Sequence, residues 1–343
     1  MSPPTSAIRR WAELRRRACW RSSPASIHWR KLQDGPVFRD TGWVFDSQNV
    51  SFWSPSEKRY VLYYRRSPAG VRAIARATST DFVSWSVPVQ MTFGDTPAEH
   101  LYTNQTHPYF RAPQLYVGIA ARFMPGRKVL TEDQARQIGV DLGYFGDCSD
   151  AVLLTTRGGN RYDRTFMESF VRPGLGLENW VSRTNYPALG IVPTGGDEEM
   201  SFYVQKNYGQ PTARLDRYTL RVDGFASVHA PYSGCELVTR VLKLGASDND
   251  DAGEATAAEP STGGLSLNVA TSAAGAVRVE IQDADGQPIS GYELDRCVEI
   301  VGDSLDRPVT WADGGGDLRS LAGKPIRLRF VMKDADLYSI RFP

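Results

Sequence analysis

From residue 43 onward the apolar positions come in short runs rich in Val, Phe, Tyr and Trp, and Gly, Pro, Asp and Ser break them about every eight to twelve residues. Runs of this length and composition predict strands, so the chain reads as all-β. Residues 45–53, 59–65, 71–78 and 83–87 are four consecutive strand candidates, separated by the turn signals Ser54-Pro55-Ser56, Ser67-Pro68-Ala69-Gly70 and Ser79-Thr80-Asp81. Two further sets of four follow, at 104–110, 115–123, 151–156 and 162–166, then at 188–192, 200–206, 215–222 and 225–229. A long loop, 124–149, interrupts the second set.

Four strands in a meander make one propeller blade, and recurrence of the unit points to a repeat architecture. The blades are expected at 41–95, 96–170 and 171–235. Their ends echo one another: Ser79 to Trp85 repeats the serine-to-tryptophan spacing of Ser23 to Trp29, and Thr156 to Tyr162 is a looser copy. Residues 22–40 therefore read as the remnant of a further blade, and the chain is expected to begin mid-propeller. Three blades do not close a ring, and open sheet edges predict self-association. Past residue 235 the texture changes. Residues 236–264 read as a linker with a flexible, polar insertion, and 265–343 alternate like the strands of a β-sandwich.

Composition narrows the class. With 41% hydrophobic and 23% charged residues the chain can bury a core, and 40 Lys+Arg against 39 Asp+Glu leave a net charge of +1. That balance excludes a nucleic-acid binder working through a summed positive field. No run approaches the roughly 18 apolar residues of a membrane span. Cys19, Cys148, Cys235 and Cys297 are too dispersed for a disulfide scaffold or a zinc site. Residues 1–21 are basic, with Arg9, Arg10, Arg15, Arg16, Arg17 and Arg21, but no apolar stretch follows. They read as a poorly ordered leader and not as a secretory signal, which makes the cytoplasm the default compartment. P-loop, G-x-S-x-G and H-E-x-x-H patterns are absent from the sequence.

Three stretches carry a family resemblance: Phe45-Asp46-Ser47-Gln48-Asn49-Val50-Ser51-Phe52-Trp53, the strand Tyr60-Val61-Leu62-Tyr63-Tyr64-Arg65, and the turn Ser79-x-Asp81-Phe82-x-x-Trp85. Together they resemble the five-bladed propeller glycoside hydrolases of families 32 and 43. The run from Tyr102 to Pro113, with its Asn104-Gln105-Thr106-His107, and the tail from Ser272 to Ala284 resemble more closely a bacterial group of propeller proteins with a C-terminal sandwich. The likeness covers most of 22–343. It implies a partial five-bladed β-propeller-like domain, three blades plus a fragment, followed by a β-sandwich and incomplete at its N-terminus relative to the family. It also implies a carbohydrate substrate and hydrolysis of a glycosidic bond by carboxylate general acid/base chemistry.

Glycosidases flank the bond with two carboxyl groups roughly 5 to 9.5 Å apart. In a propeller such groups sit where the innermost strand of each blade begins. Asp46 stands there, and its resemblance is to the general-acid position. Gln48 and Asn49 follow it as candidate substrate-binding residues. The next blades offer Asn104, Gln105 and His107, and then Asn185 and Tyr186, which suit recognition of sugar hydroxyls and faces. His107 can orient a sugar, approach a central cation or satisfy a buried hydrogen bond, and the last is the commonest role of such a residue. Each second strand must end on the same face, which brings Arg65, Arg122, Lys206 and Tyr208 to the mouth, with Asp150 on its rim. Three cationic strand ends suit a substrate bearing carboxylate or sulfate. Glu198 and Glu199 lie in a turn on the opposite face and are set aside. No cofactor is implied, a structural Ca2+ near the axis excepted. The alternative is a non-catalytic carbohydrate-binding propeller, favoured by the missing blades and the scarcity of carboxylates.

Overall fold

The computed structural model describes residues 20–22, 29–42, 44–46, 48–244, 263–312 and 315–342. Most of the leader and of the polar insertion lie outside the described residues. The protein is all-β, 45% strand and 7% helix, with several separate sheets. Two compact units divide it: one runs to Val192 and takes in Ser201–Tyr218, the other comprises Pro193–Met200 and Thr219–Pro343.

In the first unit, β1 (Trp20–Ser22) and β2 (Trp29–Lys31) form an antiparallel pair. A four-stranded antiparallel meander follows: β3 (Val50–Ser54), β4 (Arg59–Arg66), β5 (Ala73–Ser79) and β6 (Val89–Gln90). Its closing turn explains the serine-to-tryptophan spacing. Ser79 Oγ accepts from the Asp81 and Phe82 amides, and the Asp81 carboxylate accepts from the Val83 and Ser84 amides at 2.8 and 2.6 Å. Those bonds hold Asp81 far below the usual carboxylate range. Trp85 is thereby laid edge-on against Phe38 and Phe82. The strand expected at 83–87 is shortened and displaced to β6, because this turn engages the backbone that would have joined the ladder.

The second sheet is built on a long strand, β9 (Ala112–Met124), paired with β7 (His100–Leu101), β8 (His107–Tyr109) and β10 (Cys148–Thr156). The strand expected at 104–110 starts only at His107. Asn104 Oδ1 accepts from the Thr106 amide, a side-chain turn, and Gln105 takes a left-handed φ of 51°. The strand expected at 162–166 reduces to isolated bridges, Thr92 to Arg161 and Thr155 to Asp163. Tyr162 is instead driven inward, fully buried, with its hydroxyl 2.6 Å from Thr106 Oγ1 and its ring stacked on Phe93. The long loop carries one short helix, α1 (Glu132–Gln137), started by a Thr131/Gln134 capping box. That helix packs Ala135 with Leu130, Val140 and Val181.

The third sheet comprises β11 (Tyr186–Pro187), β12 (Val192–Thr194), β13 (Glu199–Lys206) and β14 (Arg214–Arg221). The first unit's principal core joins Val61, Tyr63 and Ile74 of the first sheet to Tyr116, Ala120, Val152 and Leu154 of the second. One glycine sets the approach of chain to strand here. A Cβ on Gly118 in β9 would lie 2.6 Å from the Asn104 carbonyl oxygen and 2.9 Å from Thr106 Oγ1. Gly118→Ala is therefore expected to destabilise the protein by about 1–3 kcal/mol. A thermal melt unchanged from wild type would show that the 104–106 segment can retreat without loss.

In the second unit, β15 (Val228–Ala230), β16 (Cys235–Val238), β17 (Leu242–Lys243), β18 (Ser266–Asp283), β19 (Asp303–Pro308) and β20 (Pro325–Arg341) form one six-stranded sheet. The strand expected at 225–229 to close the third blade lies here as β15, with Val228 opposite Leu337 and Ala230 opposite Ala335. Ala230, fully buried in this unit's core, anchors it. The alternating stretch after 265 is carried mainly by two long strands, β18 and β20, each continuous. Register shifts between Asn268 and Val269 and between Thr271 and Ala276 let β18 bend without ending. Leu267, Val269, Val277, Val279 and Ile281 consequently all face one core.

Candidate functional site

Arg65, near the end of β4, is 3% exposed and forms an ion pair with Asp46, whose side chain is 52% exposed. The loop carrying Asp46 is tied down locally. Phe45 adopts a left-handed φ of 61°, donates its amide to the Arg65 carbonyl at 3.3 Å and stacks on Tyr64 with ring centroids 4.8 Å apart. The Arg65 guanidinium lies 4.5 Å from the centroid of the Tyr102 ring. Tyr102 in turn packs against Tyr186 at 5.1 Å. One strand end of the first sheet, the residue after β7 in the second, and the first residue of β11 in the third thus meet.

Two more guanidinium groups interact electrostatically with Tyr102 or Tyr186. Arg72 lies 5.4 Å from the Tyr102 centroid and 4.3 Å from that of Phe123. Arg183, at φ 62°, covers the Tyr144 ring at 4.6 Å and the Tyr208 ring at 5.6 Å, and Tyr144 packs on Tyr208. Burial lowers the Arg65 pKa, with the nearby Arg72 charge acting in the same direction. Burial likewise pushes the Tyr186 phenol well up, keeping it protonated. Among the described residues, Arg65 Nη1, Arg72 Nε and the Tyr186 hydroxyl are buried without a hydrogen-bond partner.

Other residues picked from the sequence are engaged elsewhere. Arg122 stands directly opposite Asp150 in the β9–β10 ladder and binds its carboxylate in a fork, Nε to Oδ1 at 2.9 Å and Nη2 to Oδ2 at 2.6 Å. Glu99 bridges Arg122 to Arg164, and Ser169 donates to Asp150. Asp150 is a buried counter-ion here, with its side chain 3% exposed. Lys206 is buried and donates to the Asn185 side-chain carbonyl. The Asn185 amide donates to the Ser149 carbonyl. Asn104 is occupied by its own turn, and Gln105 donates to the Pro187 carbonyl at 2.7 Å. His107 has both nitrogens committed: Nδ1 donates to the Gln105 carbonyl and Nε2 accepts from the Ile191 amide. Burial lowers its pKa, the Gln105 bond opposing, and the ring is a neutral strut between segments. Gln48 and Asn49 are exposed just ahead of β3, and Tyr208 is half-buried under Arg183.

The sequence reading missed Tyr102, Arg72 and Arg183 as site residues. Tyr102 opens the run that carried the family resemblance, so it was within reach. Arg72, at the start of the strand expected at 71–78, directly precedes β5, and Arg183 lies in a loop ahead of β11. A second polar cluster, also missed, surrounds Glu57 in the β3–β4 turn. Glu57 accepts from Tyr116 at 2.7 Å and pairs with Arg76, while Ser54 bonds Tyr116. It lies at the other end of β4 from Arg65, about 20 Å away by strand rise. Among the described residues no group of three or more His, Cys, Asp or Glu is arranged to hold a metal ion.

No protein-family model matches the chain, and no curated protein matches it. Among solved structures it is similar to an N-acetylgalactosamine deacetylase from F. plautii in complex with blood group B trisaccharide, at 11% identity and TM-score 0.37, covering 66% of this chain. The chain spans 59% of the length of that deacetylase. It is similar to an exo-inulinase from Aspergillus awamori at 12% identity and TM-score 0.29, over 92% of this chain and 72% of that one. It is also similar to an exo-β-1,3-galactanase from Phanerochaete chrysosporium at 11% identity and TM-score 0.25, over 94% and 88%.

Proposed function

We propose that this chain is a glycoside hydrolase-like propeller protein that binds a saccharide where Arg65, Tyr102 and Tyr186 meet, with its three four-stranded sheets as blades. The observation that carries this reading is that convergence from three successive sheets. Sheets set radially around one opening bring strand ends together in this way. Phenol faces offer apolar contact to a sugar ring, and guanidinium donors offer bonds to its hydroxyls.

Binding is favoured over hydrolysis by the state of the carboxylates. Asp40, Asp46, Glu57, Glu99 and Asp150 are each paired with an arginine. A general acid must deliver a proton, whereas a carboxyl taking a guanidinium bond is arranged as an acceptor. Hydrolysis with Asp46 as the acid is the second reading, favoured by its half-exposed carboxylate at the start of the first blade. Calorimetry and a hydrolysis screen with one set of oligosaccharides separate the two. Binding without turnover is expected, with Tyr186→Ala weakening it about tenfold or more. Turnover that Asp46→Asn abolishes for natural glycosides but spares for activated aryl glycosides would replace the binding reading with the catalytic one.

A further inference from the structure

We propose that this mouth selects a saccharide carrying an oxyanion, a uronate carboxylate or a sulfate, held by Arg72 and Arg183 with Arg65 behind them. The proposal rests on the carbohydrate reading above and adds the charge class of the ligand. It also moves the cations: Arg122 and Lys206, which the strand directions nominate, are satisfied by the protein itself.

Arg66, Arg76, Arg122 and Arg164 each have a carboxylate partner. Among the described residues Arg72 and Arg183 have none; their guanidinium groups are held by aromatic rings. Asp46 answers the charge of Arg65, and the charges of Arg72 and Arg183 remain.

Stacking on a ring engages the flat face of a guanidinium, while its N–H bonds point outward in the plane. The cation–π contact therefore steadies the group and leaves in-plane donors available; Arg183 spends one of its five, Nη1, on the Tyr144 hydroxyl at 3.2 Å. Arg65 Nη1 and Arg72 Nε are such donors, buried and, among the described residues, without an acceptor, as is the Tyr186 hydroxyl. A buried charged donor left unpaired is costly, so these groups are arranged for an acceptor that comes from outside. A carboxylate or sulfate supplies several acceptor lone pairs and the negative charge together, and its geometry matches guanidinium forks. A neutral hydroxyl supplies neither the charge nor the bidentate fit.

The test is calorimetry on the full chain with three oligosaccharides of equal length: an oligogalacturonate, a sulfated galacto-oligomer and the neutral galacto-oligomer. At least one anionic ligand is expected to bind about tenfold more tightly than the neutral one, ~1.4 kcal/mol, with the margin shrinking as salt is raised. Which of the two binds identifies the oxyanion. Arg72→Gln and Arg183→Gln are each expected to remove most of that margin, weakening the anionic ligand far more than the neutral one, while the thermal melt stays unchanged. If Arg72→Gln fails to fold, Arg183→Gln carries the test. Equal affinity for neutral and anionic ligands, or variants that weaken both alike, overturns this proposal and leaves saccharide binding in place. Binding to none of the three overturns both.

Discussion

Arg122→Leu is expected to lower the unfolding free energy by about 3–5 kcal/mol, because it removes the partner of a carboxylate that has no other cation among the described residues. Asp150 is almost wholly buried, and Arg122 supplies both of its guanidinium bonds from directly across the ladder. Ser169 remains, but one hydroxyl does not compensate a buried charge. Glu99 keeps Arg164, so the loss falls mainly on Asp150. Equilibrium urea unfolding gives the number. The double variant Arg122→Leu/Asp150→Leu should recover much of it, since an apolar pair carries no desolvation penalty. A single-variant loss below about 1 kcal/mol would mean that water reaches Asp150 and that the pair behaves as a surface one.

Trp311→Ala is expected to be comparably severe, at about 3–5 kcal/mol. Trp311 is 1% exposed in the core of the six-stranded sheet and meets Tyr292 edge to face. Its indole Nε1 donates to the Val279 carbonyl at 3.0 Å, so the deletion leaves a cavity and also an unpaired acceptor in β18. Hydrogen exchange should show the amides of β18 and β20 losing protection together. Protection unchanged in those two strands would contradict the packing described for this core.

The local chemistry of this chain was legible in its letters. Ser79 and Asp81 dictate a turn through bonds that span two or three residues, and Trp85 follows from the turn. Arg65 and Tyr186 were reachable by strand direction alone. What escaped depends on partners distant in sequence. Nothing near Arg122 says that Glu99 and Asp150 will absorb its charge. Nothing near Arg72 or Arg183 says that no carboxylate will come. His107 reads as a site residue until Ile191, 84 residues away, is seen to occupy its second nitrogen. The apolar alternation of 225–229 predicts a strand correctly in kind but is mute about which sheet it joins.

β20 pairs with β15, β16, β17 and β18, so four strands depend on one segment. On the ribosome that dependence becomes a delay. Val228 leaves the exit tunnel about 100 residues before its partner Leu337, an interval of roughly 5–20 s at ordinary elongation rates. Through that interval three short strands are nascent polypeptide with no template, while the sheets of the first unit already have all their strands. The protein should therefore be made in two acts, with the second awaiting a single late segment and relying on whatever shields nascent chains in the meantime.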